Sequence, residues 1–257
     1  MQETIKFELS SRMAIIRKPE SNEIYFTYTF PHKIMLLGIL GAIIGLNGYN
    51  YYCLRKYLKK KVDDLPEFYT KLKNLKIAVV PNIHKTNFNK KIQTFNNSVG
   101  YASEEQGNNL IVKEQWIENP TWDIYILSDE SDEYKQIKDY LLNSKCEYIP
   151  YIGKNDHFAN IDNVEILQTE LIKSEKVNSL FFKKDLLETV DDFASILAFD
   201  EIENIEKEYE FTEKLPTCLD AQIGYTNFEN FMFTNKHVNI NSDVKLYKAE
   251  NKVLFYF

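Results

Sequence analysis

One uninterrupted apolar run, Ile34–Leu46 (IMLLGILGAIIGL), constrains the fold more than any other feature of the chain. Its 13 residues fall short of the roughly 20 that an α-helix needs to cross a bilayer. It begins past residue 30, behind strand-like alternation, and no cleavage-site pattern follows it, so it is not a secretory signal. What remains is a helix buried in a core. Gly38, Gly41 and Gly45 recur at spacings of three and four, which places them on one helix face. Each costs about 1 kcal/mol relative to Ala. Close packing of that face against a sheet or another backbone is the simplest compensation. Gly38-Ile39-Leu40-Gly41 matches the GXXG string of KH domains, but that loop is exposed and polar, and this segment is apolar.

The flanks of this helix read as strands. Ile5, Phe7 and Leu9 alternate with Lys6 and Glu8, and Met13–Ile16 continue the apolar pattern, so residues 3–17 are expected to form one long or bent strand. A polar turn at 17–22 leads to a second expected strand, Ile24–Phe30, ended by Pro31. Further helices are expected over 49–61, over 66–72, and from the cap Ser131 through Asn143. Strands are expected at 76–80, 122–127, 147–152 and 164–172, and in the tail from 222 onward. Strands outnumber helices without regular alternation, which is an α+β pattern.

The chain has 257 residues, enough for one large domain or two small ones, and aromatic residues make up 14% of it, which favours strands. Cys53, Cys146 and Cys218 form no CxxC clip, and an odd count argues against a disulfide framework, so a cytoplasmic setting is expected. The net charge of −7 conceals an asymmetry: residues 1–100 hold 16 Lys+Arg against 7 Asp+Glu, and the remainder 15 against 31. A basic amino-terminal part on an acidic chain points to nucleic acid or another anionic surface. The segment 185–213 carries 11 Asp+Glu and one Lys, and is expected to face away from such a ligand.

Residues 81–109 are irregular and rich in Asn, and they interleave Lys85, Lys90 and Lys91 with Phe88, Phe95 and Tyr101. Cations that track phosphates beside rings that stack on bases suit a single strand. A second candidate is Gly153-Lys154-Asn155-Asp156-His157, where glycine lets the backbone approach a ligand, and Lys154 with Asn155 would grip phosphate or sugar; a plain β-turn is the alternative. No Walker loop, G-x-G-x-x-G, G-x-S-x-G or histidine–cysteine metal spacing occurs, so no metal or cofactor is expected. Metal-independent RNA cleavage needs only an acid and a base, and the neighbours His32-Lys33, His84-Lys85 and Lys236-His237 leave that alternative open.

Three segments together resemble a known family. RKPESNEIYFTYTFPHKIMLLGILGAIIGL (17–46) looks like the amino-terminal signature of the CRISPR-associated Cas-five family of the RAMP superfamily. YIPYIGKNDHFANI (148–161) is similar to its second signature, and KEQWIENPTWDIYIL (113–127) fits the strand between them. The resemblance covers residues 3–170 well and the tail loosely, in the form most like the type I-B branch. It implies a ferredoxin-like (RRM-related) RAMP domain over 1–145 with a thumb at about 81–110, followed by a smaller β-rich region, 146–257. It further implies a non-catalytic subunit of the type I interference complex (Cascade), which holds the 5′ handle of the CRISPR RNA and caps one end. Its partners would be that RNA, the backbone and large subunits, and target DNA through the complex, with no membrane. Arg17, Lys18, Lys33, Lys85, Phe88, Lys90, Lys91, Phe95, Lys154, Asn155 and His157 are the expected RNA contacts. A Tyr, Lys and His catalytic set, as used by the type I-C branch, does not align here, so the endoribonuclease remains the alternative.

Overall fold

The computed structural model describes residues 1–61, 64–83, 88–97, 110–190, 208–221 and 224–257. It is an α+β molecule dominated by strands. β1 (Gln2–Ser10), β4 (Lys76–Pro81), β7 (Thr121–Leu127) and β8 (Asn160–Ile172) form an antiparallel block in the order β8-β1-β7-β4. Helices lie in their connections, α1 (Lys33–Ile43) among those between β1 and β4, and α4 (Asp132–Leu142) between β7 and β8. β14 (Leu246–Ala249) pairs with β8 and with β15 (Lys252–Phe255), which makes six strands. Residues beyond 145 thus supply half of the sheet, and a boundary placed there cuts through it.

Period-two alternation builds both faces of this sheet. Ile5, Phe7 and Leu9 of β1, Ile77 and Val79 of β4, and Trp122, Ile124 and Ile126 of β7 meet the helices in the main core. Ala78, Val80, Tyr125 and Leu127 occupy the opposite face, where they cluster with Tyr247, Ala249, Leu254 and Tyr256 from the far end of the same sheet. The sheet therefore rolls up. Ile77 and Phe257 exchange two backbone hydrogen bonds (3.1 and 3.0 Å). The segment 178–180 seals the seam: Asn178 N donates to Val253 O (2.8 Å), Phe255 N to Ser179 Oγ (2.8 Å), and Leu180 N to Val79 O (2.8 Å).

The apolar run is a buried helix, as its length demands, but it ends sooner than its composition suggests. Leu46 N donates to Gly41 O (2.8 Å) and Gly45 N to Ala42 O (3.3 Å), with Gly45 at φ +82, so Gly45 terminates α1 in a left-handed cap and does not extend the glycine face. Gly41 does carry close packing. A Cβ there would lie 2.6 Å from Phe68 Cβ of α3 (Glu67–Leu72). The start of α1 is capped by His32, whose Nδ1 accepts from Met35 N (3.2 Å). Burial lowers the His32 pKa to about 3, so the ring stays neutral and keeps that acceptor.

Two expected strands are broken. After β1 the chain re-pairs only as β2 (Met13–Ala14), because Ser11 Oγ bonds locally to Met13 O (2.6 Å). The second expected strand is reduced to β3 (Ile24–Tyr25) and an Arg17–Thr27 bridge. Residues 147–152 are not a strand. The 81–109 stretch, in contrast, contains β5 (Lys90–Asn97), a regular partner of β6 (Leu110–Glu118). In the carboxy-terminal half, β9 (Phe181–Phe182) lies beside β12 (Gly224–Thr234), which pairs with β11 (Glu210–Asp220), and β10 (Leu186–Val190) pairs with β13 (His237–Ile240).

Candidate nucleic-acid interface

The 151–158 turn is docked by its glycine. Gly153 sits at φ +86, and a Cβ there would fall 1.7 Å from Ile15 O. Ile15 N donates to Ile152 O (3.2 Å), while Ile152 N donates to His157 O (2.8 Å) and His157 N to Lys154 O (2.9 Å). This closure aims Lys154 at the β5–β6 hairpin. Its ammonium lies 3.0 Å from Glu114 Oε2, 4.8 Å from the centre of the Phe95 ring and 5.5 Å from that of Trp116. Trp116 Nε1 donates to the same Glu114 oxygen (2.8 Å), and Glu114 is only 7% exposed. Three separate segments thus hold one cation beside two rings, and Asn155 stands exposed at the tip.

A second cation cluster surrounds Glu213 of β11. Its carboxylate accepts from Thr29 N (2.8 Å) and Phe30 N (3.0 Å), and Lys18 approaches to 3.4 Å. Lys18 also lies 4.9 Å over the Tyr28 ring. Lys90 donates to Thr27 O (3.3 Å), and burial of its ammonium lowers its pKa against the opposing pull of Glu213. Arg17 is exposed, with its guanidinium 3.7 Å over the Tyr25 ring, and Lys91 pairs with Glu118 (2.8 Å). Lys33, in the first turn of α1, is half-buried, and burial lowers its pKa to about 8.

The structure thus brings Lys154 and Phe95 together, and Lys18 with Lys90. Two of the expected contacts pack inward. Phe88 turns inward, 5.8 Å from Phe30 and 6.1 Å from Trp122, because its apolar ring completes the core instead of standing free for a base. His157 is 4% exposed with its ring against Trp116 (4.7 Å), so it supports the turn from beneath. Neither of its ring nitrogens has a hydrogen-bond partner among the described residues, and burial lowers its pKa. Lys85 lies outside the described residues, as does most of the acidic run. Glu213, at the end of that run, faces the Lys18 cluster rather than away from it.

Glu114, Trp116 and Glu213 are the members that sequence reasoning passed over. Alternation along β6 places Glu114 and Trp116 on one face, which was a usable signal. Nothing local marks Glu213 among its acidic neighbours. Of the His-Lys neighbours, His32 is spent on its helix cap, Lys236 lies 3.5 Å from Glu208 and His237 lies 3.7 Å from Glu175. His84-Lys85 lies outside the described residues. The arrangement is suited to neutralising phosphate and stacking bases.

No family model matches the chain, and no curated protein matches it in sequence. Its fold is shared with a chain of a solved structure described as a "CRISPR RNA-guided surveillance complex", at a TM-score of 0.51 and 10% identity over 91% of each chain. A CRISPR protein from Archaeoglobus fulgidus aligns over 98% of this chain and 97% of its own, at a TM-score of 0.49 and 10% identity. A chain of a Type III-B Cmr-beta complex bound to cognate target RNA and AMPPnP aligns at 0.44 and 10% identity, over 92% of this chain and 86% of its own. At 10% identity the likeness to the surveillance-complex chain is one of fold. No described helix is long and apolar enough to cross a membrane.

Proposed function

We propose that this chain is a non-catalytic RNA-binding subunit of a type I CRISPR interference complex, holding the 5′ handle of the guide RNA at one end of the assembly. The observation that carries the reading is the convergence of the 151–158 turn with the β5–β6 hairpin on Lys154, Phe95 and Trp116. Cation and aromatic faces are held there before any ligand arrives. The strand order β8-β1-β7-β4, with α1 and α4 as its crossovers, supports a ferredoxin-like unit. The hairpin, whose arms lead into residues 98–109, supports a thumb. The fold shared with the surveillance-complex chain supports the setting. Backbone and large subunits of that complex, and target DNA through it, are the partners this reading implies.

Phosphate binding here is in part an exchange. Lys91 faces Glu118 in a partly exposed pair worth only about 0–1 kcal/mol, which a phosphate displaces at little cost, whereas Lys154 and Lys18 keep their nearly buried carboxylates and offer a phosphate their remaining N–H donors. The test mixes purified protein with labelled CRISPR repeat RNA in EDTA and runs native and denaturing gels. A shifted, uncut band is expected, and Lys154→Glu should weaken it at least tenfold. A discrete cleavage product would replace this reading with the endoribonuclease. Unaltered retention by Lys154→Glu would remove the interface from it.

A further inference from the structure

The helix α2 (Tyr49–Tyr57) takes no part in the core, since none of its residues is buried. With the four residues after it, it carries Arg55, Lys56, Lys59, Lys60 and Lys61 and no carboxylate, with Asp63 and Asp64 following. Lys56, Lys59, Lys60 and Lys61 are exposed, and none of them has an ion pair among the described residues. Lys18 and Lys154, by comparison, each face a carboxylate.

Aromatic rings are interleaved with these charges. Arg55 lies 5.4 Å over the Tyr51 ring and donates to its hydroxyl (3.0 Å), and Lys56 lies 5.8 Å over Tyr52. Tyr57 is 84% exposed, so its ring covers nothing in the isolated chain. The helix ends in a left-handed cap, with Lys59 N donating to Lys56 O (3.1 Å) and Lys60 N to Arg55 O (3.0 Å). The left-handed position is filled by Lys59, at φ +52, where glycine is the usual occupant. Beside it runs a groove of about 500 Å³ between α2 and α3, lined by Asn47, Tyr52, Arg55, Lys61 and Lys71 and by one carboxylate, Glu67, which pairs with Lys71 (3.2 Å).

Unmatched positive charge with exposed rings is complementary to one polymer above others. We propose that α2 and its groove form a second, sequence-independent binding surface for single-stranded RNA, sharing no residue with the Lys154 cluster. Cations along the helix end track successive phosphates, and Tyr57 stacks on an unpaired base. The inference rests on the reading of the chain as an RNA-binding subunit. It adds a surface that retains RNA beyond the handle, where the base sequence varies.

The test uses the full chain with two labelled probes, CRISPR repeat RNA and a 20-nucleotide oligouridylate (longer than the roughly 4–16 nucleotides of a single-strand site), titrated by fluorescence anisotropy across a salt series. Neutralising Lys56, Lys59, Lys60 and Lys61 together to Gln is expected to flatten the oligouridylate salt slope by about 3, from about 0.7 per phosphate contact over about four contacts. Tyr57→Ala should weaken binding about tenfold, and Arg at the same four lysines should keep the wild-type salt slope that Gln loses. These side chains are exposed, so the fold survives their replacement, checked by an unchanged urea midpoint. Oligouridylate binding that is absent, or that ignores the Gln substitutions, overturns this surface and leaves the handle reading intact if repeat RNA still binds. Failure of the wild-type chain to bind repeat RNA overturns the handle reading itself. An effect seen only with duplex DNA, or only with a protein partner, overturns the choice of single-stranded RNA.

Discussion

Two glycines with nearly identical backbones separate steric docking from backbone strain. Gly153 and Gly224 have φ of +86° and +84°, yet a Cβ at Gly224 would meet nothing within 4 Å, while at Gly153 it would stand 1.7 Å from Ile15 O. Alanine at Gly224 should therefore cost only the left-handed penalty, about 1 kcal/mol. Alanine at Gly153 bears the same penalty and must also push the turn off β2 by more than an ångström. That breaks the Ile15–Ile152 hydrogen bond, for about 1 kcal/mol. It also partly uncovers Ile152, which is fully buried, for about 2 kcal/mol more. The sum is about 4 kcal/mol against about 1. Urea denaturation of both variants reads the difference. Trp116 fluorescence reports whether Lys154 and His157 have left the indole. Equal midpoints for the two variants, or a Gly153→Ala protein with native Trp116 emission, would refute the docking argument.

Acidification should weaken the chain through His32. Its folded pKa of about 3 lies below the unfolded 6.5, so the unfolded state binds the extra proton between those values and stability falls as pH drops below 6.5, by about 2 kcal/mol at pH 5. His32→Asn keeps a capping acceptor and should remove that component from a series of urea midpoints; an unchanged slope would show the ring is not held neutral. Gly41→Ala should destabilise by about 1–3 kcal/mol by wedging α1 from Phe68, read as a lower melting temperature, and a wild-type value would contradict the contact. Lys33→Met should raise the unfolding stability at pH 7 by about 1 kcal/mol, read as a higher urea midpoint, because a half-buried ammonium is replaced by an apolar chain of similar length, while RNA retention falls if Lys33 meets the handle. A drop in stability would show that Lys33 has a partner.

The sequence made some levels of this structure readable and others not. Apolar periodicity located α1, α4, β4, β7 and most of β1, because each buries a regular face and the signal is local. Ser131 announced the α4 cap, with its side chain accepting from Tyr134 N (3.1 Å). β5 was hidden because its face is half-exposed, so Lys90–Asn97 lacks the apolar alternation that reveals a strand. Phe88 shows the limit for site residues: the same ring, in the same basic context, serves the core or a base equally well, and only Trp122 across the fold decides. Cation positions were legible, but their carboxylate counterparts were not, since Lys18 and Glu213 lie 195 residues apart in the chain.

The sealed seam at residues 178–180 bears on how this chain meets its neighbours. An open sheet presents rows of unpaired amides and carbonyls at its margins, and other chains add strands there, productively or as aggregates. Here Phe257, Leu180, Ser179 and Asn178 occupy the outer backbone groups of Ile77, Val79, Val253 and Phe255. Neither margin of the six-stranded sheet is left as a template at these positions. A neighbour that meets this sheet here is then recognised through side chains, so its identity is set by surface chemistry that mutation can retune one residue at a time.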